Sequence, residues 1–163
     1  VKGIPSMERV VTVTGDGVVN PGNYKVLFGT NQNELIEAAG GLKEGCEKVI
    51  SGGPMMGFAM YTTDTPITKT SSSILCMSKD EVSACEPTAC INCGRCVDAC
   101  PSRIIPSRLA DFAERHDEEA FLKFNGLECV ECGSCSYVCP AKRQLKQAIG
   151  SMRKTALANK KKK

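Results

Sequence analysis

The stretch "CINCGRCVDACP", residues 90–101, places four cysteines within eleven residues and closes on a proline. Thirty-nine residues later "CVECGSCSYVCP", residues 129–140, repeats it cysteine for cysteine. Cysteines packed this closely in succession are rarely all paired with one another and more often share a metal centre. The chain also has an odd total of eleven cysteines and is expected to carry no signal peptide, which turns the reading from a secreted disulfide scaffold to a metal protein.

Iron suits this spacing. Three thiolates in C-x2-C-x2-C wrap three corners of a cubane within one loop, and the fourth, before proline, ligates the other cluster in paired motifs. The expected ligands are therefore Cys90, Cys93, Cys96 and Cys139 for one [4Fe–4S] cluster, and Cys129, Cys132, Cys135 and Cys100 for the second. Gly94 and Gly133 are expected where a side chain would crowd a cluster, and Pro101 and Pro140 at the first position of a helix. Zinc prefers separated C-x2-C pairs to two successive runs of this kind. Cys46, Cys76 and Cys85 fall outside the pattern and read as packing thiols. Arg95, Arg103, Arg108, Lys142 and Arg143 could raise cluster potentials if they lie near the sulfurs. No Ser-His-Asp set, Cys-His pair or paired carboxylates accompany the cysteines, so this chain is expected to carry electrons and not to break substrate bonds.

Between the runs, Pro106 and Ser107 start a predicted helix carrying Leu109, Phe112 and Ala113. Asp117 caps a second helix with Ala120, Phe121 and Phe124, which stops at Asn125 and Gly126. His116, among charges, reads as an exposed helix-end residue. After the second run, Leu145, Ile149, Met152 and Ala156 form one stripe of a basic helix. This helix either docks on the cluster module or meets an anionic membrane surface or a partner; disorder is expected beyond Thr155.

Upstream, "MERVVTVTG" alternates like a strand and "GDGVVNPGNYKVLFGT" reads as two short strands about a turn at residues 20–22. Asn31 or Asn33 caps a helix over "NELIEAAGG", ended by Gly40 and Gly41, and "CEKVISGG" is a further strand. The fold class is α+β: a small β-grasp-like domain over residues 1–53, an irregular connecting segment over 54–86, a helical two-cluster ferredoxin-like domain over 87–142, and a basic helix with a lysine tail over 143–163. Within the connector, Met55, Met56 and Met60 read as gap-filling residues, and "TPITKTSSSILCMS" can hold one more strand.

The formal charge of +3 conceals a division. From Lys142 onward there are nine Lys or Arg and no acid, so residues 1–141 hold twelve bases against eighteen acids. An acidic body and a tail without interleaved aromatics argue against nucleic acid as a partner. No run of about twenty apolar residues is available to span a membrane. The chain opens on Val1, within what reads as folded sequence, and is expected to be part of something longer.

Taken in order, these segments resemble a known family. "TVTGDGVVNPGNYKVLFGT" resembles the soluble-ligand-binding β-grasp (SLBB) domain of respiratory NADH-oxidising subunits. "SGGPMMGFAM", "TPITKTSSSILC" and the two cysteine runs resemble the C subunit of Rnf electron-transport complexes. The resemblance implies a peripheral subunit on the cytoplasmic face of the membrane, within an ion-translocating ferredoxin:NAD oxidoreductase. It also implies other subunits as partners, and FMN and NADH on a domain preceding the β-grasp segment. A cluster module of a soluble glycolate or heterodisulfide reductase is the alternative, against which the β-grasp segment argues.

Overall fold

The computed structural model describes residues 3–82 and 84–161. The chain forms two units that divide after Glu81: a mixed five-stranded sheet with one helix, then a helical module.

The first unit is built around strand β1, Glu8–Thr14. Its alternation buries Val11 and Val13 completely, the period-2 pattern of a strand with one face on a core. β1 pairs antiparallel with β2 (Gly22–Leu27) on one side and parallel with β5 (Ser73–Met77) on the other. β3 (Lys48–Ser51) joins β5 antiparallel, and β4 (Phe58–Met60) joins β3. The order is β2-β1-β5-β3-β4, with the parallel pair flanked on both sides by antiparallel strands. A parallel pair requires a long connection, and it is filled here by β2, helix α1 (Gln32–Ala38), β3 and β4.

Helix α1 starts where Asn31 accepts from the Asn33 amide at 2.9 Å, an N-cap bond. It ends where Gly40 and Gly41 adopt positive φ and the Gly41 amide returns to the Ile36 carbonyl at 2.9 Å, a Schellman-type close. Leu35, Ile36 and Ala39 meet Val11, Val13, Val18, Ile67 and Ile74 in one core. Gly15, at φ +113°, passes so close to β5 that a Cβ would lie 1.9 Å from the Cys76 carbonyl oxygen.

Several expectations change here. Val18 makes only an isolated bridge to Leu42, so the segment read as two strands holds one, β2. Residues 54–86 are not merely a connector, since they supply β4 and the central β5. In β5, Ile74 and Cys76 are buried among half-buried neighbours, a pattern that the hydroxyl-rich run before it obscures. Met55 and Met56 are exposed and fill no gap.

In the second unit, two one-turn helices, α2 (Arg95–Asp98) and α5 (Ser134–Tyr137), occupy equivalent places in the repeat. Each repeat then leads into a longer helix, α3 (Pro106–Glu114) or α6 (Leu145–Lys161). α4 (Glu118–Lys123) follows α3, capped by Asp117, whose carboxylate accepts from the Ala120 amide at 2.9 Å. Asn125, at φ +58°, closes α4 and leads into a short 3₁₀ turn, Gly126–Glu128. His116 is exposed at the end of α3, in the left-handed region.

Leu109, Ala110 and Ala113 of α3 pack with Phe121 and with Leu145, Ile149 and Met152 of α6. Phe121 is fully buried, and a Cβ on Gly126 would meet its ring at 2.3 Å. α6 runs unbroken to Lys161, further than the expected limit near Thr155. Its apolar stripe, Leu145, Ile149, Met152 and Ala156, is buried, so that face is occupied by the protein itself and is not free to enter a membrane. Among the described residues no helix is long and apolar enough to cross one.

Candidate iron–sulfur centres

The two cysteine runs fold alike. Asn92 and Gly94 have φ of +55° and +78°, and Glu131 and Gly133 have +54° and +84°. Left-handed residues at alternating positions turn successive amides toward a common concavity, the kind of nest that receives anionic groups, including iron–sulfur clusters. A Cβ on Gly94 would meet no protein atom within 4 Å. Its backbone conformation is therefore what the protein itself demands of this glycine.

After each one-turn helix, a further left-handed residue reverses the chain: Arg103 at φ +52° and Lys142 at +53°. The Arg103 amide returns to the Cys100 carbonyl at 3.1 Å, and the Lys142 amide to the Cys139 carbonyl at 3.2 Å. Pro101 and Pro140 consequently lie in turns beyond the ends of α2 and α5, and are not the first residues of helices. Proline is common just past a helix C-cap because it cannot continue the helix. The fourth cysteine of each run thus ends a helical turn, and the long helix begins only at Pro106 or Leu145.

These turns distribute the eight cysteines into two cavities. One, of about 210 Å³, is lined by Cys90, Cys93, Cys96 and Cys139. The other, a narrow cleft of about 20 Å³, is lined by Cys100, Cys129, Cys132 and Cys135. Each gathers three thiols of one run and the last thiol of the other. Among the described residues, no three His, Cys, Asp or Glu side chains converge as ligands of a single ion would. Four thiols spread around a space suit a cubane, whose thiolates bind separate irons, better than a tetrahedral zinc. The donor set and left-handed turns fit two such clusters.

Burial and hydrogen bonding set the thiols apart. Burial pushes the Cys135 thiol up to about 11 and raises Cys129, where an amide bond from Glu131 to the sulfur at 3.4 Å opposes it. The Ser134 hydroxyl, 3.5 Å from the Cys132 sulfur, lowers Cys132. Of the five cations that could tune the clusters if near sulfur, Arg143 lines the cavity of about 210 Å³. It is held by Asp111 and Glu114, both at 2.9 Å. Burial opposes its charge, but the two carboxylates outweigh that and keep it firmly protonated.

Outside the runs, Cys76 is buried in the sheet core with Cys46 beside it, and burial, then Cys46, pushes its thiol up to about 11. Cys85 is exposed. Sequence reasoning misses the Arg143–Asp111–Glu114 cluster and an ion pair between Arg153 and Glu131. Both arise from tertiary packing around α6, and only superposition of the two repeats would draw attention to Glu131.

Comparison with known proteins agrees with this architecture. A family model for the SLBB domain matches residues 10–59, and one for a 4Fe-4S dicluster domain matches residues 89–143. Over 149 residues the chain is 48% identical to the C subunit of the proton-translocating ferredoxin:NAD(+) oxidoreductase complex of Clostridium ljungdahlii, covering 91% of this chain and 33% of that protein. The chain is a homologue of the Rnf complex C subunit. It is also 40% identical over 162 residues to the C subunit of the Na(+)-translocating ferredoxin:NAD(+) oxidoreductase complex of Acetobacterium woodii, covering 99% of this chain and 37% of that one. The C subunit of the ion-translocating oxidoreductase complex of Yersinia enterocolitica is 42% identical over 116 residues, or 71% of this chain and 17% of its own. The chain therefore spans only about a third of the length of the first two Rnf relatives. The SLBB match ends before β5, the strand that completes the sheet.

Proposed function

We propose that this chain is an electron-transfer part of an ion-translocating ferredoxin:NAD oxidoreductase. Its second unit would hold one [4Fe–4S] cluster on Cys90, Cys93, Cys96 and Cys139, and another on Cys129, Cys132, Cys135 and Cys100. The observation that carries this reading is the sorting of the eight thiols into two cavities, each completed by the last cysteine of the other run. When bound, such clusters supply reversible one-electron transfer. The chain's own contribution is to hold two of them side by side through exchanged ligands, with left-handed turns aiming amides at the sulfurs.

The relatives' names supply the setting, a multisubunit ferredoxin:NAD(+) oxidoreductase complex that translocates ions. In that setting the chain is a peripheral part of a membrane complex and passes electrons between a flavin- and NADH-binding domain and other subunits. The sheet unit serves as a spacer and docking body. Any contact of α6 with anionic lipid rests on charge alone, through exposed lysines such as Lys154 and Lys160, because its apolar stripe is buried.

Iron and sulfide quantitation of the anaerobically prepared chain, with EPR after dithionite reduction, tests the reading. About eight iron and eight sulfide per chain, with a spectrum broadened by two interacting spins, are expected. Cys139→Ser should perturb the cluster of Cys90, Cys93 and Cys96. A change confined to the other cluster would refute the ligand exchange, and zinc without a reducible signal would refute the function.

A further inference from the structure

The 39-residue repeat allows the two centres to be compared position by position, and they are not equivalent. Cys90 and Cys93 are exposed, whereas their counterparts Cys129 and Cys132 are half-buried; Cys96 is half-buried, whereas Cys135 is buried. The helices that follow the two runs differ as well. α3 ends at Glu114, while α6 continues to Lys161, about two more turns past the equivalent residue, Arg153.

Arg153 reaches back from α6 to the loop that carries the second centre. Its Nη1 pairs with Glu131 Oε1 at 3.4 Å, and its Nε donates to the Leu127 carbonyl at 3.1 Å. Glu131 lies between Cys129 and Cys132, lines their cleft, and gives its amide to the Cys129 sulfur. Gly150 lets the carboxylate lie close against α6, since a Cβ there would be 3.1 Å from Glu131 Oε2. In the first repeat the residues corresponding to Glu131, Gly150 and Arg153 are Asn92, Asp111 and Glu114. An asparagine and two acids cannot make this ion pair, and both acids turn to Arg143 instead.

We infer that the Glu131–Arg153 pair is a latch sealing the Cys100–Cys129–Cys132–Cys135 centre, which leaves the Cys90–Cys93–Cys96–Cys139 centre as the accessible end of the pair. Glu131 and Arg153 are positioning residues: they hold the loop and helix over the second centre without ligating it. The inference rests on the two-cluster reading, and it makes the first centre the one from which electrons cross to or from an outside one-electron carrier.

The test is iron release to bathophenanthroline disulfonate under anaerobic conditions, followed on the full chain after total iron has been measured. Release is expected in two phases of about equal size, one per cluster. Glu131→Gln and Arg153→Gln should each accelerate the slow phase roughly fivefold, as expected for loss of a partly buried ion pair, and leave the fast phase unchanged. Arg153→Lys, which keeps the charge, should restore most of the protection and shows that a faster variant is not simply misfolded. A single phase, an unchanged slow phase or acceleration of the fast phase would overturn the latch. Iron for only one cluster before chelation would overturn the two-cluster reading itself, and the latch with it.

Discussion

The two units of this chain are held together by different means. The sheet unit closes over a continuous aliphatic core in which Val11, Val13, Val18, Ile67 and Ile74 are essentially inaccessible. In the cluster unit the fully buried large side chains among the described residues are fewer, Leu109, Phe121 and Ile149 among them, and Cys96, Cys100, Cys129, Cys135 and Cys139 belong to or pack against the same core. Thiols there occupy positions that aliphatic side chains fill in the sheet. If these thiols hold the proposed clusters, a core built partly from them depends on what they bind, so one unit should outlast loss of the clusters and the other should not.

Removing iron is the strongest way to break that comparison. Treatment with a chelator and an oxidant is expected to strip amide hydrogen-exchange protection from α3 and α6 while β1 and β5 stay protected. Protection retained in α3 and α6 would mean that the helical core folds without its clusters.

A cavity in the helical core sharpens the same contrast. Phe121 is fully buried, with Gly126 directly against its ring, so little can relax into the space it would leave. Phe121→Ala should cost about 3–5 kcal/mol, measured by denaturant unfolding of the cluster-loaded chain, and the transition of the sheet unit should not move. A loss below about 1 kcal/mol would show that the clusters, and not this aromatic, carry the stability of the unit.

How far the sequence can be read follows the same division. The repeated cysteine spacing, the Asp117 cap and the stripe of α6 are legible because each depends on local spacing: a thiol every third residue, a carboxylate before a helix, one apolar face. β1, β3 and α1 are legible from periodicity and caps. β5 is obscured because it follows a run of serines and threonines, and its place beside β1 is fixed only by a parallel pairing about sixty residues apart in the chain. The turns at Pro101 and Pro140 are easily misread because a proline after cysteine suits a helix start as well as a helix end. The left-handed Arg103 and Lys142 that decide the matter carry no signature, since neither is glycine or asparagine. The charged clusters around α6 join residues far apart in the chain, and no local pattern reports them.

The smallest effect concerns the edge of the sheet unit. Asp16 accepts from the Ser78 amide at 2.9 Å and from the Ser78 hydroxyl, tying the end of β1 to the end of β5. These bonds, the hydroxyl's first, hold the Asp16 carboxyl below its ordinary value of 3.8. A carboxyl whose folded value is depressed favours the folded state in its ionised form. Its contribution is therefore present in full above the unfolded value, and it is lost as the pH falls through the folded one. Ser78→Ala removes the leading cause and leaves the amide bond in place. Titration of the Asp16 carboxyl by NMR should then show a rise toward 3.8, and the sheet unit should lose slightly less stability on acidification than the parent does. The cluster unit should be indifferent to the substitution. An Asp16 titration that does not move would show that the backbone amide alone fixes this corner of the sheet.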